Sequence, residues 1–246
     1  MYRDNLASCG DAVDFMSTID KASVPMILTD PPYGIGFTSK CIEYRGNHKQ
    51  LLNDGFDEWS NNVENWLRAM RRIIKPGGIV AMFCGGGGGK FLVMPRAALL
   101  AEKYFSVIQI LVWKKYIGLG TNYRPMYESI LILSTRKSKY NFYDKSHNLG
   151  NVLQYNQVIP TKNKDHPTRK PIRLIKKLLD IHTLPNDLVV DPFCGSGTTA
   201  LACIDMGRKF LVNDLDPKYY MLTLENINKR ISQLSLFGDN NVKFQK

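Results

Sequence analysis

Asp30-Pro31-Pro32-Tyr33 sets one carboxylate and one aromatic ring close together, with two prolines between them. Neither proline has an N–H to donate, so both leave a carbonyl free to accept. Asp30 and the Pro31 carbonyl would suit a planar ligand bearing an amine, with Tyr33 stacked on its face. The same residues would also serve as a Pro-rich turn closed by a capping Asp. A second group lies at Gly195-Ser196-Gly197-Thr198-Thr199-Ala200, which satisfies G-x-G-x-x-A. Asp214 follows about 20 residues on, where an acid can bind ribose hydroxyls. Alone, this turn admits a nicotinamide cofactor, a flavin or S-adenosylmethionine, or it is a tight strand-to-helix turn with no ligand.

The elements around these groups are legible from periodicity. Val24 to Leu28 is a short apolar run that reads as a buried strand delivering Asp30 at its end. In open α/β sheets ligands bind at such strand ends. Leu188 to Asp191 reads as a strand feeding the Gly-rich turn, and a helix follows it to Met206. Lys209 to Asn213 reads as the strand that ends at Asp214. Pro217 opens a closing helix that runs to about Leu234. Upstream, Leu6 to Cys9 and Ala12 to Met16 read as a strand and a helix. Asn62 to Ile74 carries apolar residues at helical spacing and is stopped by Pro76-Gly77-Gly78, after which Ile79 to Phe83 is a strand. Gly85 to Gly89 and Lys90 imitate a phosphate loop, but Cys84 and Phe91 occupy places where that motif needs Gly and Ser or Thr. Nucleoside triphosphate binding is therefore rejected. Phe91 to Lys103 reads as a helix, Phe105 to Trp113 and Glu128 to Ser134 as strands, and Ile172 to Ile181 as a helix.

Two stretches lack a period: Gly34 to Ser60, read as a lid or DNA-contact loop, and Lys137 to Asp165. The chain of 246 residues has a net charge of +11, and Ser134 to Lys177 alone holds eleven Lys or Arg against two Asp, a net +9. Segregated charge of this kind favours a polyanion, most simply nucleic acid. Tyr140, Phe142, Tyr143 and Tyr155 are interleaved with the lysines, a mixture that can stack on bases while holding phosphates. Five scattered cysteines form no zinc-type pair and no disulfide framework, so neither a metal nor an oxidising compartment is expected. No apolar run approaches membrane length, and Met1-Tyr2-Arg3-Asp4 has no signal-peptide apolar region.

DPPY followed far downstream by DPFCGSGTT resembles the S-adenosylmethionine-dependent DNA amino-methyltransferases. It resembles more narrowly their β group, in which the target-amine motif comes first. The family's HPTQKP motif is matched at His166 to Pro171 as HPTRKP, with Arg169 in place of Gln. Asp214 stands where the family usually has Glu, two residues before an Asp-Pro. The resemblance covers about Leu6 to Ile231 and implies a single catalytic domain over 1–246. Its fold would be α/β: a doubly wound, mostly parallel, seven-stranded Rossmann-like sheet with one reversed strand and a small target-recognition insertion at 137–165. It implies Asp30, Pro31, Pro32 and Tyr33 around a flipped base. It implies Phe193, Gly195, Gly197 and Asp214 around the adenosine of S-adenosylmethionine. Asp191, Thr168 and Lys170 would hold the methionine part, with Asp30, His166, Ser196 and Thr198 completing the cofactor set.

DPPY in this order goes with N6 of adenine more often than N4 of cytosine. Double-stranded DNA would be the partner, held by Lys40, Arg45, Lys49, Lys114, Arg124, Lys139, Lys145, Lys162 and Lys164. Family members are often dimers, and some accompany a restriction endonuclease. The expected home is the cytoplasm of a prokaryotic or phage-infected cell. Beside N6 methylation stand three alternatives: N4-cytosine methylation, a nicotinamide-dependent dehydrogenase, and a DNA-binding module without activity.

Overall fold

The computed structural model describes residues 5–33, 56–85, 92–116, 124–158 and 169–236. Among these residues eight strands form one sheet. They are β1 (Leu6–Cys9), β2 (Val24–Thr29), β3 (Ile74–Phe83), β4 (Ser106–Lys114), β5 (Tyr127–Ser134), β6 (Val152–Gln154), β7 (Leu188–Asp191) and β8 (Lys209–Asp214). The order across the sheet is β1-β8-β7-β2-β3-β5-β4-β6. Only β5 is reversed, running antiparallel to both β3 and β4. The expected α/β sheet with one reversed strand is therefore present, with one strand more than expected. The extra strand is β6, three residues long, which pairs parallel to β4 at the outer edge.

Among the described residues six helices cover the sheet: α1 (Ala12–Ser17), α2 (Phe56–Ile73), α3 (Val93–Ala101), α4 (Ile172–His182), α5 (Thr198–Met206) and α6 (Pro217–Leu236). Every residue of β2 is buried, because the sheet is covered on both faces. Strand alternation divides the core in two. Ile27, Val80 and Met82 face a cluster with Trp59, Val63, Trp66, Leu67 and Met70 of α2 and Ala97 of α3. Met26, Leu28, Ile79, Ala81 and Phe83 face the opposite cluster, with Leu174, Leu178, Ala200 and Ile227 of α4, α5 and α6. Among the described residues no helix is long and apolar enough to cross a membrane.

Two boundaries differ from expectation. Helix α2 begins at Phe56, so the last five residues of the 34–60 stretch are helical; 34–55 lie outside the described residues. Pro76-Gly77-Gly78 does not separate helix from strand, because β3 already starts at Ile74. The glycines sit instead at a slip in register, where Val24 pairs with Ile74 but Met26 pairs with Ile79. The described part of 137–165 is tied to the sheet. Asn141 N–H donates to the Gly77 carbonyl, Tyr143 N–H to the Ile181 carbonyl, and β6 joins the edge.

Candidate active site

Strands β2 and β7 are neighbours in the sheet but lie far apart in the chain. From β2 the chain crosses to β3 on one side, and from β7 to β8 on the other. Their carboxyl ends thus flank the crevice where doubly wound sheets bind ligands. Asp30 follows β2 and Asp191 ends β7, so the two motifs read from the sequence converge at this switch point. Thr29 joins them, its hydroxyl donating to Asp191 Oδ1 at 2.8 Å. A cavity of about 420 Å³ opens here, within the usual size of small-molecule sites. Asp30, Pro31, Pro32, Tyr33, Lys170, Asp191, Phe193, Gly195, Ser196, Thr198 and Asp214 all line it.

The Gly-rich turn is held from three directions. Gly195 N–H donates to Asp214 Oδ2 at 2.8 Å, and Asp216 N–H donates to Asp214 Oδ1 at 3.0 Å. Each carboxylate oxygen keeps a lone pair for a further donor. Burial raises the Asp214 carboxyl above its usual range, against the two amides that favour its charge. Gly197 caps α5 with φ +78°, and a Cβ there would meet Thr223 Cγ2 at 2.9 Å, so only glycine fits. The Thr223 hydroxyl donates to the Gly195 carbonyl at 3.0 Å. Asp191 accepts from Thr29, from Thr199 at 2.6 Å and from Phe193 N–H at 3.1 Å. Burial nevertheless pushes its carboxyl up to about 7. Phe193 meets Trp66 edge to face at 4.9 Å, which brings α2 into the cavity wall. Trp66 was absent from the sequence-derived site, since nothing local distinguishes a core Trp from a pocket Trp.

The amine-binding group is organised differently from the sequence reading. Tyr33 was expected to lie open for stacking, but its hydroxyl donates a short bond to Asp30 Oδ1 and its ring lies against Gly85. Lys170 was assigned to the methionine part, but its ammonium contacts Asp30 Oδ2 at 2.5 Å and Glu128 Oε2 at 3.2 Å. Glu128 Oε1 is in turn held by Lys115 at 2.5 Å. The ammonium of Lys170 also lies 5.0 Å from the Phe83 ring centroid. Four charges thus alternate along one line: Asp30, Lys170, Glu128 and Lys115. Burial raises the Asp30 carboxyl, with Lys170 opposing it. Burial would raise Glu128 too, but Lys170 and Lys115 on either side bring it below the carboxylate range. Glu128 and Lys115 were absent from the sequence-derived site. A Glu opening a strand and a Lys following one carry no local signal.

Cys194 is buried, with its sulfur 3.5 Å from the Thr223 hydroxyl, and burial holds its thiol well above the usual range. It is a packed residue. The basic residues divide between the two ends of the sheet. Lys114 ends β4 and Arg124 precedes the antiparallel β5, so both are exposed at the cavity end. Lys139 and Lys145 follow the far end of β5. The Lys139 carbonyl lies against Gly77 near the start of β3, and Asp144 pairs with Lys177 in the last turns of α4. These two lysines therefore lie at the end of the sheet away from Asp30, and the structure does not bring them to the cavity. Lys40, Arg45, Lys49, Lys162, Lys164, His166 and Thr168 lie outside the described residues.

Residues 24–225 match the family model described as DNA methylase. The chain is 27% identical to the DNA adenine methyltransferase YhdJ of Escherichia coli strain K12, over 89% of this chain and 81% of that protein. In fold it is similar to PvuII DNA methyltransferase, described as cytosine-N4-specific. The TM-score is 0.70 at 18% identity, over 94% of this chain and 92% of the other. It is also similar to M1.HpyAVI solved as a complex with SAM, with a TM-score of 0.66 at 24% identity over 92% and 98% of the two chains.

Proposed function

The chain belongs to the DNA methylase family, and from that premise we propose that it moves a methyl group from S-adenosylmethionine to N6 of an adenine flipped out of duplex DNA. The observation that carries this reading is the convergence at the switch point. The Asp30-Pro31-Pro32-Tyr33 loop and the Gly195–Thr198 turn open on one cavity, and Thr29, next to Asp30 in the chain, donates to Asp191 at the end of β7. The cofactor fits these residues. Asp214 has acceptor capacity for ribose hydroxyls, Phe193 and Trp66 offer apolar walls for adenine, and Asp191 is a buried carboxylate suited to an ammonium.

S-adenosylmethionine, when bound, supplies a methyl group already activated on a sulfonium. The protein's task is the amine, whose lone pair is delocalised into the base ring. Asp30 accepts a hydrogen bond from that amine, with the Pro31 carbonyl as second acceptor, and both favour a tetrahedral nitrogen. Alignment of amine and methyl supplies much of the rate, as positioning does generally. The N–H proton leaves to Asp30, whose burial-raised basicity suits the role. No covalent intermediate is needed, in keeping with the inert Cys194 and Cys84. Lys114 and Arg124 at the cavity mouth hold DNA phosphates.

Adenine is preferred over cytosine because Asp, rather than Ser, opens the Pro-Pro-Tyr loop. The likeness to an enzyme named for adenine runs the same way. On the family resemblance we further propose the cytoplasm of a prokaryotic or phage-infected cell as the compartment, with double-stranded DNA as partner and a second copy or a restriction endonuclease as candidate further partners. The test is methylation of a plasmid of known sequence, followed by digestion to nucleosides and mapping of every modified base. N6-methyladenine is expected. N4-methylcytosine would overturn the choice of base, and no methylated base would overturn the reaction.

A further inference from the structure

Each Asp30 oxygen already accepts one donor, Tyr33 on Oδ1 and Lys170 on Oδ2, and the direct ammonium contact holds the negative charge that a target amine and its departing proton would draw on. Lys170 has little exposed surface. If it left Asp30 with nowhere to go, a buried ammonium would be stranded, at a penalty well above that of one hydrogen bond. Glu128 offers the alternative. Its Oε1 is tied to Lys115, which turns Oε2 toward Lys170 at 3.2 Å. Oε2 is sealed from solvent, and its 3.2 Å contact with Lys170 is longer than the 2.5 Å contact from Lys170 to Asp30, so it can take a closer share of the ammonium. The Lys170 ammonium already lies between the two carboxylates. A slight displacement of its tip would exchange a short contact to Asp30 for a short contact to Glu128, leaving the number of buried charges unchanged.

We propose that Glu128 is a positioning residue that takes up Lys170 when the target amine arrives, releasing Asp30 to accept from that amine. This rests on the reading of Asp30 as the amine acceptor. Glu128 touches neither substrate nor cofactor in this scheme and acts through Lys170. The groups that face Asp30 are Lys170, Tyr33 and Glu128, with Asp191 and Cys84 close enough to feel its charge. Glu128→Gln removes a negative charge that raises Asp30 and leaves Lys170 with Asp30 as its sole counter-ion. The Asp30 carboxyl should then titrate lower, and its release to the amine should become harder.

The experiment measures methyl transfer to duplex DNA by wild type, Glu128→Gln and Glu128→Asp across a pH series, with cofactor binding and Tm on the same preparations. In Glu128→Gln, kcat should fall by about tenfold to a hundredfold while KM for DNA stays within about threefold, the split expected when ground-state binding is spared. The acid limb of the kcat profile should move to lower pH. Glu128→Asp keeps the charge on a shorter arm and should show the same changes at smaller size. It also carries the test if Glu128→Gln fails to fold. A kcat within about twofold of wild type, or a limb that stays put or moves upward, overturns the proposal. Carboxyl NMR titration of Asp30, assigned with Asp30→Asn, reads the coupling without DNA. If wild type methylates no DNA, the functional reading fails, whereas an Asp30 titration unmoved by Glu128→Gln sinks the Glu128 inference itself.

Discussion

Asp30→Ala separates chemistry from cofactor binding. The Asp30 carboxylate stands at the end of β2, whereas Asp214 ends β8, two strands away across β7. Removing Asp30 therefore leaves the Gly195–Asp214 and Asp216–Asp214 contacts in place. A positioned acid–base group contributes on the order of 10²–10⁴ in rate. At about 1.36 kcal/mol per decade, this is about 2.7–5.4 kcal/mol of barrier. The structure adds a stability cost that a free loop carboxylate would not carry. The charge-assisted pair with Lys170 is lost, a contact of about 1.5–3 kcal/mol. Two features reduce that cost: Glu128 remains 3.2 Å from the stranded ammonium, and burial already disfavours the Asp30 charge. The variant should fold with a lowered Tm. Asp30→Asn keeps the shape without the charge and should fold closer to wild type while losing a similar share of rate. The assay is single-turnover methyl transfer to duplex DNA beside calorimetric titration of the cofactor. Transfer within about threefold of wild type would refute Asp30 as acceptor, since so small a change lies below the range for such groups. Equal losses of transfer and cofactor affinity would refute the division of the cavity into two halves.

Three further outcomes follow from the geometry. The Asp191 carboxyl, raised by burial to about 7, is protonated in the free protein below that pH, and a cofactor ammonium would require it charged. Cofactor affinity should therefore rise about fourfold to sixfold from pH 6 to about pH 7.5, before the cofactor ammonium itself deprotonates, with proton release on binding, checked by calorimetry in buffers of different ionisation enthalpy; a flat profile would remove Asp191 from the ammonium site. Gly197→Ala places a Cβ at 2.9 Å from Thr223 Cγ2 on a left-handed backbone, so Tm and cofactor affinity should both drop, with at least about 1–2 kcal/mol from the backbone alone. Unchanged thermal denaturation would contradict this. Replacing Lys114 and Arg124 with Gln should flatten the dependence of log DNA affinity on log salt by about 0.9 per contact, while the same change at Lys139 and Lys145 should not. The reverse pattern would put DNA at the other end of the sheet.

The sequence by itself determined the parts of this protein whose physics is local. Val24–Leu28 is apolar throughout because the strand is buried on both faces, and Pro31-Pro32 ends it, so Asp30 was legible as a strand-end carboxylate. Gly195 to Thr199 was legible because a tight strand-to-helix turn demands glycine, and Gly197 meets that demand in both φ and space. Helix α2 announced itself through Val63, Trp66, Leu67, Met70 and Ile73, whose spacing matches its buried face. Strand β6 did not, since three residues are too few for a period and its place is set by β4.

Tertiary structure alone decided what surrounds the carboxylate. Lys170 reaches Asp30 across 140 residues of chain, and Glu128 joins them only because β5 is reversed and inserted between β3 and β4. That reversal also divides the basic stretch. It carries the chain away from the cavity, so Lys139 and Lys145 emerge at one end of the sheet while Lys114 and Arg124 stand at the other. Charge along a sequence is additive and can be counted, but which charges meet depends on strand direction, and direction is fixed by pairing between segments far apart in the chain.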